Sequence, residues 1–156
     1  MGYRPGDAAY RRVVVALFAA GVTTFALLYS PQAVLPELAA DFGMPASATT
    51  LSISVTTLAM AVALLVVGPV TERVGRTPII RASVVVTSLV GIAHSLAPNW
   101  PTLLVLRGLQ GISLAGMAAV AMAYLREEVA PEAHARATGL YVGGTAIGGM
   151  LGRLVV

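Results

Sequence analysis

The strongest constraint on this chain is a pair of long runs without charge, Ser47 to Val70 and Ala82 to Pro98, joined by a short charged hinge, Gly68-Pro69-Val70-Thr71-Glu72-Arg73-Val74-Gly75-Arg76. An apolar run of about 20 residues suffices to cross the hydrocarbon core of a bilayer. A connection this short between two such runs predicts a tight turn between membrane-spanning helices. Composition points the same way. Of 156 residues, 57% are hydrophobic and 11% charged, where a soluble domain carries about 25% charged residues. Mean hydropathy is +0.83, and too few polar side chains remain to cover a soluble domain of this size. The net charge of +3 marks no nucleic-acid surface, because the arginines fall in the gaps between apolar runs. All basic residues are arginine, and the absence of cysteine excludes disulfides and thiolate metal sites.

The pattern predicts an all-α, polytopic membrane protein with five spans, about 13–35 (interrupted by Pro31), 47–70, 78–96, 101–125 and 137–156. The first run resembles a signal peptide in isolation, but the spans behind it favour an uncleaved helix. Asn99 before Trp100-Pro101 suits a helix start, with Trp100 as an interfacial anchor. The charged stretch Arg126 to Arg136, which holds Pro131, predicts a short surface helix or loop. Arg4, Arg11, Arg12, Arg73, Arg76, Arg81, Arg126 and Arg136 all flank one side of these spans, and the gaps on the other side hold no arginine. Residues 1–12 and the hinge are therefore expected on the cytoplasmic side of the membrane, and the end of the fifth span outside. The fifth run is still apolar at Val156, which leads to the expectation of an incomplete bundle.

Three groups of residues stand out. In the hinge, Gly68 and Gly75 permit tight backbone geometry, and Glu72 beside Arg73 and Arg76 suggests a compact ion-pair cluster at the membrane face; the bland alternative is a solvated loop. In the fourth span, Arg107, Gln110 and Gly111 share one helix face. An arginine inside the membrane is costly, so it either faces the bundle interior with a partner or snorkels to the outer interface. In the fifth span, Gly139, Gly143, Gly144, Gly148, Gly149 and Gly152 form a small-residue ladder suited to close helix packing. Tyr29, Gln32, Gln110 and Tyr141 either line a central path or hydrogen-bond between helices. No Asp or Glu lies deep in any span; Glu37 and His94, near the outer ends of the first and third, are titratable or merely interfacial. Gly111-Ile112-Ser113 lacks the second glycine of a nucleophile elbow. With no nucleotide loop, metal-ligand pair or nucleophile–base pair, neither an enzyme nor a cofactor or metal is expected.

The hinge resembles the signature between the second and third helices of the major facilitator superfamily, roughly G-x-L-A-D-R-x-G-R-K. Gly68, Arg73, Gly75 and Arg76 match, Glu72 stands at the acid position, and Thr77 replaces the last basic residue. Arg107-Gly108-Leu109-Gln110-Gly111 is similar to the fourth-helix R-x-x-Q-G of proton-coupled members. Gly144-Thr145-Ala146-Ile147-Gly148-Gly149 is similar to the fifth-helix antiporter signature, with Thr145 in place of its proline. Leu35-Pro36-Glu37-Leu38 looks like that family's L-P-x-L ending, and Tyr141 to Arg153 looks like drug/proton antiporter-like efflux carriers of the YnfM type. The resemblance implies the N-terminal part of a carrier that moves a small solute across the lipid bilayer by alternating access. It further implies a latch made by Gly68, Glu72, Arg73, Gly75 and Arg76, and a proton or substrate role for Arg107. A C-terminal half would then be the missing partner. The alternative is a truncated, non-transporting membrane module that needs that partner half.

Overall fold

The computed structural model describes residues 2–154, so Val155 and Val156 of the expected fifth span lie outside the described residues. Among these residues the fold is helical throughout, with one isolated backbone bridge and no strand. Its helices are α1 (Ala8–Tyr29), α2 (Leu35–Asp41), α3 (Ala46–Thr49), α4 (Leu51–Val74), α5 (Arg76–His94), α6 (Trp100–Glu128) and α7 (His134–Leu154). Pro31, which lacks an N–H, ends the α1 ladder, and the chain tightens into a 3-10 turn over Ser30–Val34 before α2. The side chain of Asn99 caps α6 by accepting from the Thr102 N–H at 3.0 Å and the Thr102 hydroxyl at 2.8 Å.

Two expectations need correction. The hinge is no loop: α4 runs through Pro69 to Val74, and Gly75 is the one non-helical residue before α5. The fourth span is also longer than its apolar run, because Arg126–Glu128 continue the α6 ladder past Leu125. Four stretches are long and apolar enough to cross a membrane, Ala8–Asp41, Ala46–Val74, Arg76–His94 and Trp100–Glu128. The last helix, α7, falls short of that hydropathy because glycine takes up so much of its length. Its packing supplies what hydropathy withholds: α7 lies parallel to α1, with Gly144, Gly148 and Gly152 against Phe18, Val22 and Ala26, so it follows the same path as a helix that can span.

The bundle is built on two parallel pairs, α1 with α7 and α4 with α6; α5 packs antiparallel on α6, and α1 bridges the pairs. One apolar cluster, which includes Tyr10, Val14, Leu125 and Ala137, fills the end that carries the hinge. A second, of Leu28, Met60, Ala63, Leu114 and Ala115, lies further along the pairs. Large apolar side chains such as Leu58, Leu65, Leu89 and Ile92 remain exposed, as suits surfaces that meet lipid or protein.

Candidate functional site

Gly75 adopts φ +90°, a conformation that L side chains rarely take, and donates its N–H to the Thr71 carbonyl at 3.0 Å. This reversal separates the acid of the hinge from its second arginine. Glu72 and Arg73 sit on the exposed last turn of α4, while Arg76 opens α5 beside the end of α6. There Arg76 forms an ion pair with Glu127, and its guanidinium carbon stands 5.7 Å from the centre of the Tyr124 ring. Among the described residues this is the one ion pair. The expected cluster of Glu72 with Arg73 and Arg76 does not form. The acid that holds Arg76 comes from the next helix instead, which the hinge residues alone could not reveal.

The Arg76–Glu127 pair stands on the rim of a cavity of about 1160 Å³. Phe25 of α1, Met60, Gly68, Thr71 and Glu72 of α4, Met122 and Tyr124 of α6, and Tyr141 and Thr145 of α7 contribute to its wall. The lining is mostly apolar with a few hydroxyls, and its charged members are Glu72, Arg76, Arg126 and Glu127. Neither Arg107, Gln110 and Gly111 nor Tyr29 and Gln32 line this space.

Arg107 is inside the bundle, 7% exposed, and one of its terminal nitrogens donates to Gln110 Oε1 at 2.7 Å. This placement favours the bundle-facing alternative over snorkelling. Its Nε has no partner, nor has Nε2 of His94, which lies within electrostatic reach at the end of α5. One turn further along α6, Ser113 shares a 2.6 Å hydrogen bond with Thr87 of α5 and donates to the Gln110 carbonyl at 3.0 Å; because one proton serves each bond, Thr87 donates to Ser113 and Ser113 to the carbonyl. Gly111 makes room for this face: a Cβ there would collide with the Thr56 carbonyl and stand 3.1 Å from the Ala59 Cβ. Ser113 thus ties α6 to α5, and Gly111 lets α6 close on α4.

The glycine ladder divides by face. Gly144, Gly148 and Gly152 meet the α1 backbone, and Gly149 makes room for the Tyr29 ring. Gly139 and Gly143 have no neighbour within 4 Å of where a Cβ would stand. At the far end of the same pair, Arg153 Nε donates to Gln32 Oε1 at 2.5 Å and its guanidinium carbon lies 4.8 Å from the Tyr29 ring centre. Tyr29 and Gln32, expected on a central path, are therefore joined by a third residue that the sequence reading did not place with them. Glu127, Tyr124, Thr87 and Ser113 were also missed. The one available signal for Glu127 was that the arginine bias brings the hinge and the Arg126–Arg136 stretch to the same side.

The family profile of the Major Facilitator Superfamily matches residues 13–156. The chain belongs to that family, and is a multi-pass membrane protein by its fold and apolar helices. It is 44% identical over 97% of its length to the uncharacterized MFS-type transporter YybF of Bacillus subtilis, covering 38% of that protein. It is 41% identical over 96% of its length to the inner membrane transport protein YnfM of Escherichia coli, covering 36% of it. An uncharacterized transporter of Buchnera aphidicola is 36% identical over 94% of the chain, which covers 35% of that relative. The chain thus spans little more than a third of the length of the curated relatives it matches. No solved structure matches it.

Proposed function

We propose that this chain forms the first five helices of a secondary carrier that moves a small solute across a bacterial inner membrane by alternating access, in the direction of proton-coupled efflux. The observation that carries the reading is the cavity between α1, α4, α6 and α7 with the Arg76–Glu127 pair at its rim. A mostly apolar wall with few hydroxyls suits an amphipathic small molecule, and a rim ion pair suits a contact that is made in one state and broken in the other. Arginine bias supports a cytoplasmic N-terminus and a cytoplasmic hinge. Gly68, Glu72, Arg73, Gly75 and Arg76 form the latch, and Glu127 supplies the counter-charge to Arg76. Arg107, buried with an unsatisfied N–H, is the group that meets a carboxylate or an anionic substrate during the cycle.

The test is solute efflux from cells, or uptake into everted vesicles, by a carrier that contains this chain. Arg107→Ala should abolish transport while membrane insertion stays intact; transport at the native rate sinks the role of Arg107. A second reading is a non-transporting membrane module that needs a partner half, and it is supported by the chain covering little more than a third of the length of its relatives. Purified 156-residue chain in vesicles should then move no solute, and vesicle transport by it would refute this.

A further inference from the structure

The first residues of the chain play no part in the carrier reading, yet they are firmly held. Tyr3 donates its N–H to the Glu128 carbonyl at 2.7 Å and accepts from the Ala130 N–H at 3.0 Å, which makes a parallel bridge to Val129. Gly2 lies so close to this loop that a Cβ would stand 2.6 Å from the Ala130 nitrogen and 2.7 Å from the Val129 carbonyl carbon. Tyr3 also packs against the apolar cluster at the hinge end. The chain then turns at Gly6, φ +110°, with the Arg4 N–H donating to the Asp7 carboxylate at 2.9 Å, and enters α1. On the opposite flank, the His134 ring shares a 2.7 Å hydrogen bond with the Val129 carbonyl.

Ordering an extended segment ahead of a helix costs conformational entropy, so it needs a specific hold. The last carbonyls of a helix also lack intrahelical partners. Tyr3 meets both conditions at one point, because the carbonyl it takes is that of Glu128, the final residue of α6. The preceding residue, Glu127, holds Arg76. We infer that residues 2–7 form a strap that fixes the last turn of α6 and thereby directs Glu127 at Arg76, with Gly2 and Tyr3 as positioning residues. Its functional meaning rests on the latch reading. The strap gives residues 2–7 a direct hold on the contact that the transport cycle must make and break.

The test uses the whole chain in detergent micelles. Tyr3→Pro removes the N–H donor, Gly2→Val places bulk against the loop backbone, and Tyr3→Phe keeps both backbone bonds. The Ala130 amide should exchange about tenfold faster in the first two variants and at the native rate in Tyr3→Phe, since two hydrogen bonds close or open together. A native Ala130 amide without protection overturns the strap. Positioning is read separately. The chain has no cysteine, so Arg76→Cys with Glu127→Cys gives a single pair for a short bifunctional thiol cross-linker. Cross-linking should slow about tenfold when Tyr3→Pro opens the strap, as local opening scatters the two thiols; an unchanged rate overturns the positioning role. If Tyr3→Pro does not fold, Gly2→Val carries the same comparison. A protected strap with slowed cross-linking, together with native transport after Glu127→Gln, supports the strap and overturns the latch.

Discussion

Two glycines five residues apart on α7 should respond to the same substitution in opposite directions. A Cβ on Gly148 would stand 2.8 Å from both the carbonyl carbon and Cα of Val22. Ordinary van der Waals contact begins near 3.4 Å, so α1 and α7 must part by at least roughly 0.6 Å, the difference of those distances, and by more to clear the Val22 carbonyl oxygen, which stands closer still. The neighbour is helix backbone, and no rotamer change relieves it. Separation also opens the Gly144–Phe18 and Gly152–Ala26 contacts on either side. Overpacking of this kind costs about 1–3 kcal/mol, and here it outweighs alanine's helix-propensity advantage of about 1 kcal/mol over glycine. Gly143→Ala meets nothing within 4 Å, so only the propensity gain acts, stabilising by up to about 1 kcal/mol. The two variants should therefore differ by about 1–3 kcal/mol, the overpacking that Gly148 alone incurs. Unfolding of the purified chain in mixed micelles of rising sodium dodecyl sulfate, followed by far-ultraviolet circular dichroism and by Trp100 fluorescence, gives both values. If Gly148→Ala proves as stable as the native chain, or if both variants shift alike, the parallel seam described above is wrong.

Glu127→Gln should lower stability by no more than about 1 kcal/mol, since one partner of the pair is largely exposed, and the effect should fade in high salt; titration with sodium chloride checks it. Thr87→Val removes the buried side-chain hydrogen bond between α5 and α6 and should cost about 0.5–2 kcal/mol in the same unfolding assay. Gln110→Leu leaves the Arg107 guanidinium buried without its acceptor and should be more damaging than Gln110→Leu combined with Arg107→Met; a double-mutant cycle that comes out additive would argue that the two side chains do not interact.

The spans were legible because bilayer crossing demands long uncharged runs, and Asn99 and Gly75 were legible because their local chemistry ends or starts helices wherever they occur. Helix ends were less so. The first helix begins at Ala8 rather than Val13, since polar residues continue a helical ladder as readily as apolar ones once it has started. The glycine ladder named the right helix, but spacing alone could not tell Gly148, which faces α1, from Gly143, which faces open space. The pairing of Arg76 with Glu127 was hidden for a different reason. Proximity in sequence favoured Glu72, whereas the turn at Gly75 and the antiparallel docking of α5 on α6 set the actual partner. Such contacts follow from tertiary packing, which periodicity does not encode.

The seam between α1 and α7 also limits how this bundle can move. Each of three glycines admits one stretch of the facing backbone, at Phe18, Val22 and Ala26. The match repeats every four residues, about 6 Å at a rise of 1.5 Å per residue. Sliding by a smaller step would bring the bulkier residues between the glycines against backbone, so the two helices behave as a toothed rack with one seated position. Gly111 against Thr56 sets a similar tooth between α4 and α6. Gradual shear between α1 and α7 is therefore opposed by three backbone contacts, and tilting the pair as a single body is the motion that keeps them.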